Sequence, residues 1–123
     1  MLWLRNVKNS KIVAPISQNS VMLIGAQDSE FHFASQQIRL HKSYDCKFTV
    51  YTTSQLIIED CDRVKFAEWR VFEKGEDQEQ SKDLVEAMHR CGFKEDGKNF
   101  WAEVQDFNWI KQEKSPHFEL VNE

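Results

Sequence analysis

The residue of this chain best suited to act on a partner is Arg39, in the stretch SQQIRLH. Ile38 and Leu40 alternate with Gln37, Arg39 and His41, a pattern that reads as a strand with its aliphatics turned inward and its arginine outward. Arginine presents a planar fork of donors that fits phosphate, and it keeps its charge at physiological pH. A second candidate is Glu59, which follows the paired aliphatics of QLIIEDC. His41 beside Glu59 would suit a general base, but no Ser or Cys nucleophile with motif context accompanies them. His41 therefore reads as a surface residue of an interface.

Spacing excludes several other chemistries. Cys46, Cys61 and Cys91 are odd in number and form no CxxC pair, so they read as reduced thiols. A zinc site combining them with His32, His41, His89 or His117 lacks the paired short spacings such a site needs, and no metal is expected. Gly25, Gly75, Gly92 and Gly97 build no GxxxxGK[ST] loop, so the chain is not itself a nucleotide hydrolase. The paired carboxylates of glycosidase chemistry are not visible beside Arg39 either. With 123 residues, 41% hydrophobic and 29% charged, the composition is that of one soluble domain with a real core. A net charge of −4 at pH 7 speaks against nucleic acid or an anionic membrane as the main partner. No apolar run approaches the ~20 residues that span a bilayer. The opening MLWLRNVKNS lacks the pattern of a signal peptide.

The elements that must hold Arg39 show a repeat. Leu2 and Leu4 align with Val21 and Leu23, then Ile38 and Leu40, then Leu56 and Ile58, at intervals of 19, 17 and 18 residues. Ser10, Ser29, Cys46 and Val64 follow the same spacing, as do Ile12, Phe31, Phe48 and Phe66, then Ala14, Phe33 and Val50; the pattern fails at Glu68. A period near 18 residues is three short strands, the coil of a parallel β-helix, in which like residues stack in columns. The alternative, an antiparallel sandwich, should show NG or DG hairpin turns, and none occurs between Leu2 and Trp69. Because Leu2 already stands in the repeat, the chain begins in mid-coil, so an upstream part is missing or something else covers that end.

Stacking also aligns the outward residues. Trp3, Met22, Arg39 and Ile57 form one column, and Arg5, Ile24, His41 and Glu59 the next. Strands lie ~4.8 Å apart and alternate residues ~6.6 Å along a strand, so Arg39 and Glu59 are diagonal neighbours within reach of each other. The outward apolar residues Trp3, Met22, Ile24 and Ile57 make a patch of the kind that binds partners. A solvated ion pair among stray apolar neighbours is the plain alternative.

After Trp69 the period changes. Ser81 as N-cap, the helical spacing of Leu84, Val85 and Met88, and Gly92 as a stop predict a short helix over 82–91. The preceding RVFEKGEDQEQ is polar and reads as mobile. Phe100, Trp101, Val104, Phe107, Trp109 and Ile110 should pack along the β-helix, and HFELV could add a last strand after Pro116. The expected architecture is mainly β, with β-helix coils over 1–72 and an aromatic-rich extension over 73–123 that carries the helix.

The run of residues 34–69 resembles the cofactor C-like domain family, shared by tubulin-folding cofactor C and the retinitis pigmentosa 2 protein. The markers are QQIR at 36–39, LH at 40–41, QLIIEDC at 55–61 and VKFA at 64–67. The tail, with DFNW at 106–109 followed by SP and an aromatic, is similar to the cofactor C branch. The resemblance implies a right-handed parallel β-helix and a GTPase activator that inserts an arginine into a partner's nucleotide site. It places that arginine at Arg39, its supporting residues at Gln36 and Glu59, and Gln37 in the same motif.

The client it implies is β-tubulin, acted on with cofactors D and E to release assembly-competent heterodimer. GTP and magnesium belong to the partner, and a cytoplasmic location extending to microtubule-organising structures follows. Partner contacts fall to Gln37, His41, Met22, Ile24, Ile57 and Trp3. Gln36 shares the strand parity of inward Ile38, so it must sit at a coil corner to assist. Nothing here matches the helical, spectrin-like part upstream in full-length cofactor C, nor the acylation signal of the retinitis pigmentosa 2 protein. The alternatives are an activator of an ADP-ribosylation-factor-like GTPase, and a non-catalytic interaction module like the actin-binding end of cyclase-associated protein.

Overall fold

The computed structural model describes residues 2–54, 56–70, 85–93, 98–107, 109 and 115–121, with residues 2 and 13–19 as backbone only. The described strands are β1 (Leu2–Arg5), β2 (Lys11–Ile24), β3 (Glu30–His41), β4 (Tyr44–Thr52), β5 (Leu56–Glu59), β6 (Asp62–Glu68), β7 (Val104–Asp106) and β8 (Phe118–Val121). Every pairing among them is parallel, and the chain winds as a β-solenoid. One face stacks β1, the end of β2, the end of β3, β5 and β7. A second stacks the starts of β2 and β3 with β4, β6 and β8.

The columns predicted from the repeat are the observed register. Leu4, Leu23, Leu40 and Ile58 follow one another from strand to strand, as do Ile12, Phe31, Phe48 and Phe66. Glu68, where the apolar pattern fails, still pairs with Val50. The inner positions are sealed: Val21, Leu23, Ile38, Leu56 and Ile58 on one face and Phe31, Phe33, Phe48 and Phe66 on the other have no exposed surface. Each such side chain contributes about 1.5–3 kcal/mol by leaving water. Phe31 and Phe48 stack with centroids 5.0 Å apart, and Phe48 and Phe66 5.6 Å apart, a ladder that can form only if the coils keep register.

The coil corners repeat at the same spacing, in backbone rather than side chain. Asn6, Gly25, Lys42 and Asp60 all have positive φ (55°, 78°, 52° and 54°), and so do Asn9, Asp28, Asp45 and Arg63 (50°, 50°, 55° and 52°). Asn, Asp and Gly tolerate this left-handed region, which turns the chain sharply between faces. Short polar side chains close the same corners. Ser10 Oγ donates to the Lys8 carbonyl, Ser29 Oγ to Gln27, and Cys46 Sγ to Tyr44, each two residues back. Ser43 and Cys61 do the same to the carbonyls of His41 and Glu59.

The C-terminal segment corrects one expectation. Its described residues hold only one short helix, α1 (85–90), and the segment otherwise adds strands: β7 pairs with β5 and β8 with β6. Left open, the edges of β5 and β6 would present unpaired backbone groups, and the backbones of 104–106 and 118–121 pair with them. HFELV is thus the expected last strand. The predicted start of the helix, 82–84, and most of RVFEKGEDQEQ lie outside the described residues. Gly92 stops α1 as predicted: at φ 89° it donates to the His89 carbonyl while Phe93 N–H donates to Met88, a Schellman closure. Buried Met88 and Phe93 cover Ala34 and Tyr51 on the outer side of β3 and β4. Asn99 ties the returning chain down, accepting from Thr52 N–H (3.0 Å) and donating to the Val50 carbonyl (3.0 Å).

Candidate functional site

The first face carries the residues singled out by the sequence. Its outward columns are Trp3–Met22–Arg39–Ile57, continued by Gln105, and Arg5–Ile24–His41–Glu59. Beneath them Ile38, Leu40, Leu56 and Ile58 are fully buried, so the strand that carries Arg39 is anchored on both sides of it. Arg39 itself is exposed. Among the described residues its guanidinium has no ion-pair or hydrogen-bond partner.

Gln36 lies at a coil corner. The β3–β4 pairing ends at Ser35↔Thr52 and the β3–β5 pairing begins at Ile38↔Leu56, so 36–37 is a corner between faces. There the alternation breaks, with Ser35 buried and Gln36 exposed. Thr52 Oγ1 donates to the Gln36 carbonyl (3.1 Å) and Ser35 Oγ to the Gln37 carbonyl (3.2 Å), which fixes the corner backbone three residues before Arg39. The parity that turns Gln36 inward in a straight strand does not survive the bend.

Glu59 does not brace Arg39 as expected. Its carboxylate faces His41, with Oε2 3.8 Å from Nδ1. The reason is register: His41 and Glu59 are direct partners, ~4.8 Å apart across the ladder, whereas Arg39 lies on the longer diagonal of ~8 Å. An imidazole nitrogen of His41 and carboxylate oxygens of Glu59 and Asp60 all lie within 4.8 Å of one another.

Trp3 is 49% exposed and Met22, Ile24 and Ile57 are half-buried, so the apolar surround of Arg39 is real but uneven. Arg5 lies over the Trp3 ring at 5.4 Å. The structure adds Phe107, which the sequence assigns to packing. Trp101 and Val104 do pack on the core, but Phe107 is 48% exposed at the end of β7, next in line after Glu59. Only the pairing of β7 with β5 decides this: Asp106 takes the inward position opposite Ile58, so its successor faces out.

Elsewhere the described residues offer little chemistry at the surface. A concavity of about 1030 Å³ runs along the opposite corner past Asn9, Asp28, Asp45 and Arg63. Within it Arg63 holds Asp45 through two contacts of 2.6 and 3.1 Å, which keeps that carboxyl below its usual range. Burial pushes the Cys61 thiol up to about 11 and raises that of Cys46, so both are structural. Arg39 is thus an exposed cation on the first face with no partner among the described residues.

A family model described as "Tubulin binding cofactor C" matches residues 1–107. Among curated relatives, "Tubulin-folding cofactor C" of Arabidopsis thaliana is 30% identical over 122 residues, covering 99% of this chain and 33% of the relative. "Tubulin-specific chaperone C" of Homo sapiens is 30% identical over 125 residues, with the same coverages of 99% and 33%. Among solved structures, "Tubulin Binding Cofactor C from Leishmania major" shares the fold at a TM-score of 0.80 and 24% identity, covering 97% of this chain and 76% of that one. The chain spans about a third of the length of the curated relatives it matches.

Proposed function

The chain belongs to the tubulin binding cofactor C family, and from that we propose that it supplies an arginine finger in trans to a GTPase, with β-tubulin as the client. The observation that carries this reading is Arg39, exposed on a stiff buried strand and uncommitted to any partner among the described residues. As the γ-phosphoryl group leaves GTP, negative charge spreads over its oxygens. A guanidinium placed there from outside neutralises it, an effect worth roughly 10³–10⁵ in rate for GTPases that use one. The client holds the nucleotide and its magnesium; this chain supplies charge and position and is not an enzyme by itself.

The corner at 36–37 and the sealed residues Ile38 and Leu40 limit the backbone freedom that would be lost on docking. Trp3, Met22, Ile24, Ile57 and Phe107 give the client an apolar rim to exclude water from the charge, where electrostatic stabilisation is strongest. Cofactors D and E would present tubulin in the state on which the finger acts, and a cytoplasmic setting goes with that client. A right-handed winding belongs to the same reading, since parallel crossovers favour that hand.

The test is GTP hydrolysis by tubulin with cofactors D and E present. Arg39→Ala should fall to the unstimulated rate, with its thermal unfolding unchanged. Stimulation equal to wild type by a folded Arg39→Ala would end the arginine-finger reading. Running the same pair against an ADP-ribosylation-factor-like GTPase loaded with GTP separates the two possible clients.

A further inference from the structure

We propose that His41 is a positioning residue that competes with Arg39 for Glu59 and so makes the stimulation dependent on its own charge; the proposal rests on the arginine-finger reading above. Glu59 has two cationic candidates within reach. His41 is its direct register partner and its imidazole nitrogen is 3.8 Å from the carboxylate. Arg39 is the diagonal neighbour and is left alone among the described residues. When the imidazole carries a proton, it and the carboxylate form an ion pair, and Arg39 loses the anion that would hold it extended. When the imidazole is neutral, the attraction between that pair disappears and Glu59 is available to the longer, always charged arginine.

The surroundings leave this competition in the hands of few groups. On β3 and just past its end the charged neighbours of His41 in the chain are Arg39 and Lys42. On β5 and its end they are Glu59 and Asp60. On β2 the partner is the uncharged Ile24, and Arg5 of β1, one column position beyond it, lies over Trp3. On β7 and just past its end the corresponding residues, Gln105 and Phe107, carry no charge. Glu59 is half-exposed and His41 less so, which makes the contact open to solvent and readily exchanged.

The experiment is stimulated GTP hydrolysis by tubulin with cofactors D and E, measured from about pH 6 to about pH 8. It compares wild type, His41→Asn, His41→Lys, Glu59→Gln, both His41 variants in the Glu59→Gln background, and Arg39→Ala. A permanent cation in His41→Lys should hold stimulation at the acid wild-type level throughout, up to about fivefold below wild type at about pH 8, the size of a surface ion pair, and equal to it at about pH 6. His41→Asn should remove the part of the wild-type decline at low pH that belongs to this chain. In the Glu59→Gln background both substitutions should become silent, as a double-mutant cycle requires of a shared partner. Single variants indistinguishable from wild type, or effects that persist without Glu59, would overturn the proposal. If Arg39→Ala abolishes stimulation while the His41 variants do nothing, the competition alone is wrong; if Arg39→Ala is fully active, both readings fall.

Discussion

Two side chains on outward positions of the same strand, β3, show how environment sets what a residue can do. Arg39 stands exposed on the first face, with no partner among the described residues. His32, seven residues earlier, is tucked edge-on against Trp69 at 5.7 Å, and among the described residues nothing pairs with its Nδ1. Burial lowers the pKa of His32 from the ordinary 6.5; Glu30 opposes this, and Lys11 and Lys47 add to it. A base with a lowered folded-state pKa binds fewer protons folded than unfolded. Its contribution to stability is therefore full above about 6.5 and is lost as pH falls below that value. Wild type should lose more melting temperature between about pH 7.5 and about pH 5.5 than His32→Phe, and equal losses would refute the account.

The coil corner is the element on which register depends. Its left-handed residues recur through successive coils, but they are not equally suited to it. Gly25 sits at φ 78°, and a Cβ there would meet Asn6 Oδ1 at 3.1 Å. Gly25→Ala should destabilise the fold by about 1–2 kcal/mol. Lys42 holds the same corner one coil on at φ 52°, with a side chain that gains nothing from that conformation. Lys42→Gly should therefore be neutral or stabilising by up to about 1 kcal/mol, because relief of the left-handed strain outweighs the added freedom of the unfolded chain. Urea unfolding of both variants checks the signs; a stabilising Gly25→Ala would mean the corners do not bear the strain assigned to them.

At the scale of the molecule, stability and function share one scaffold. The solenoid buries its phenylalanines in a ladder, and the face that carries Arg39 is the other wall of the same core. Phe48 touches Phe31, Phe33 and Phe66 in that ladder. Phe48→Ala should cost about 3–5 kcal/mol, and near its midpoint it should lose GTPase stimulation in step with the loss of structure. A variant that unfolds the second face while keeping stimulation would show that the two walls are independent. The tail belongs to the same body: β7 and β8 extend both faces, and buried Asp106 accepts from Ser115 Oγ and contacts His117, joining the two strands.

The apolar columns, the parallel winding, the stop at Gly92 and the outward place of Arg39 were all legible in the sequence, because stacking forces like residues into like positions at a fixed spacing. What the sequence could not decide was which neighbour a charged side chain takes and where alternation breaks. Glu59 faces His41 and not Arg39 because a direct ladder partner is nearer than a diagonal one. Gln36 turns outward because the strand bends between two faces, and Phe107 is exposed because the tail joins the sheet as a strand. Each of these is a distance between segments remote in the chain, and only the closed coil sets those distances.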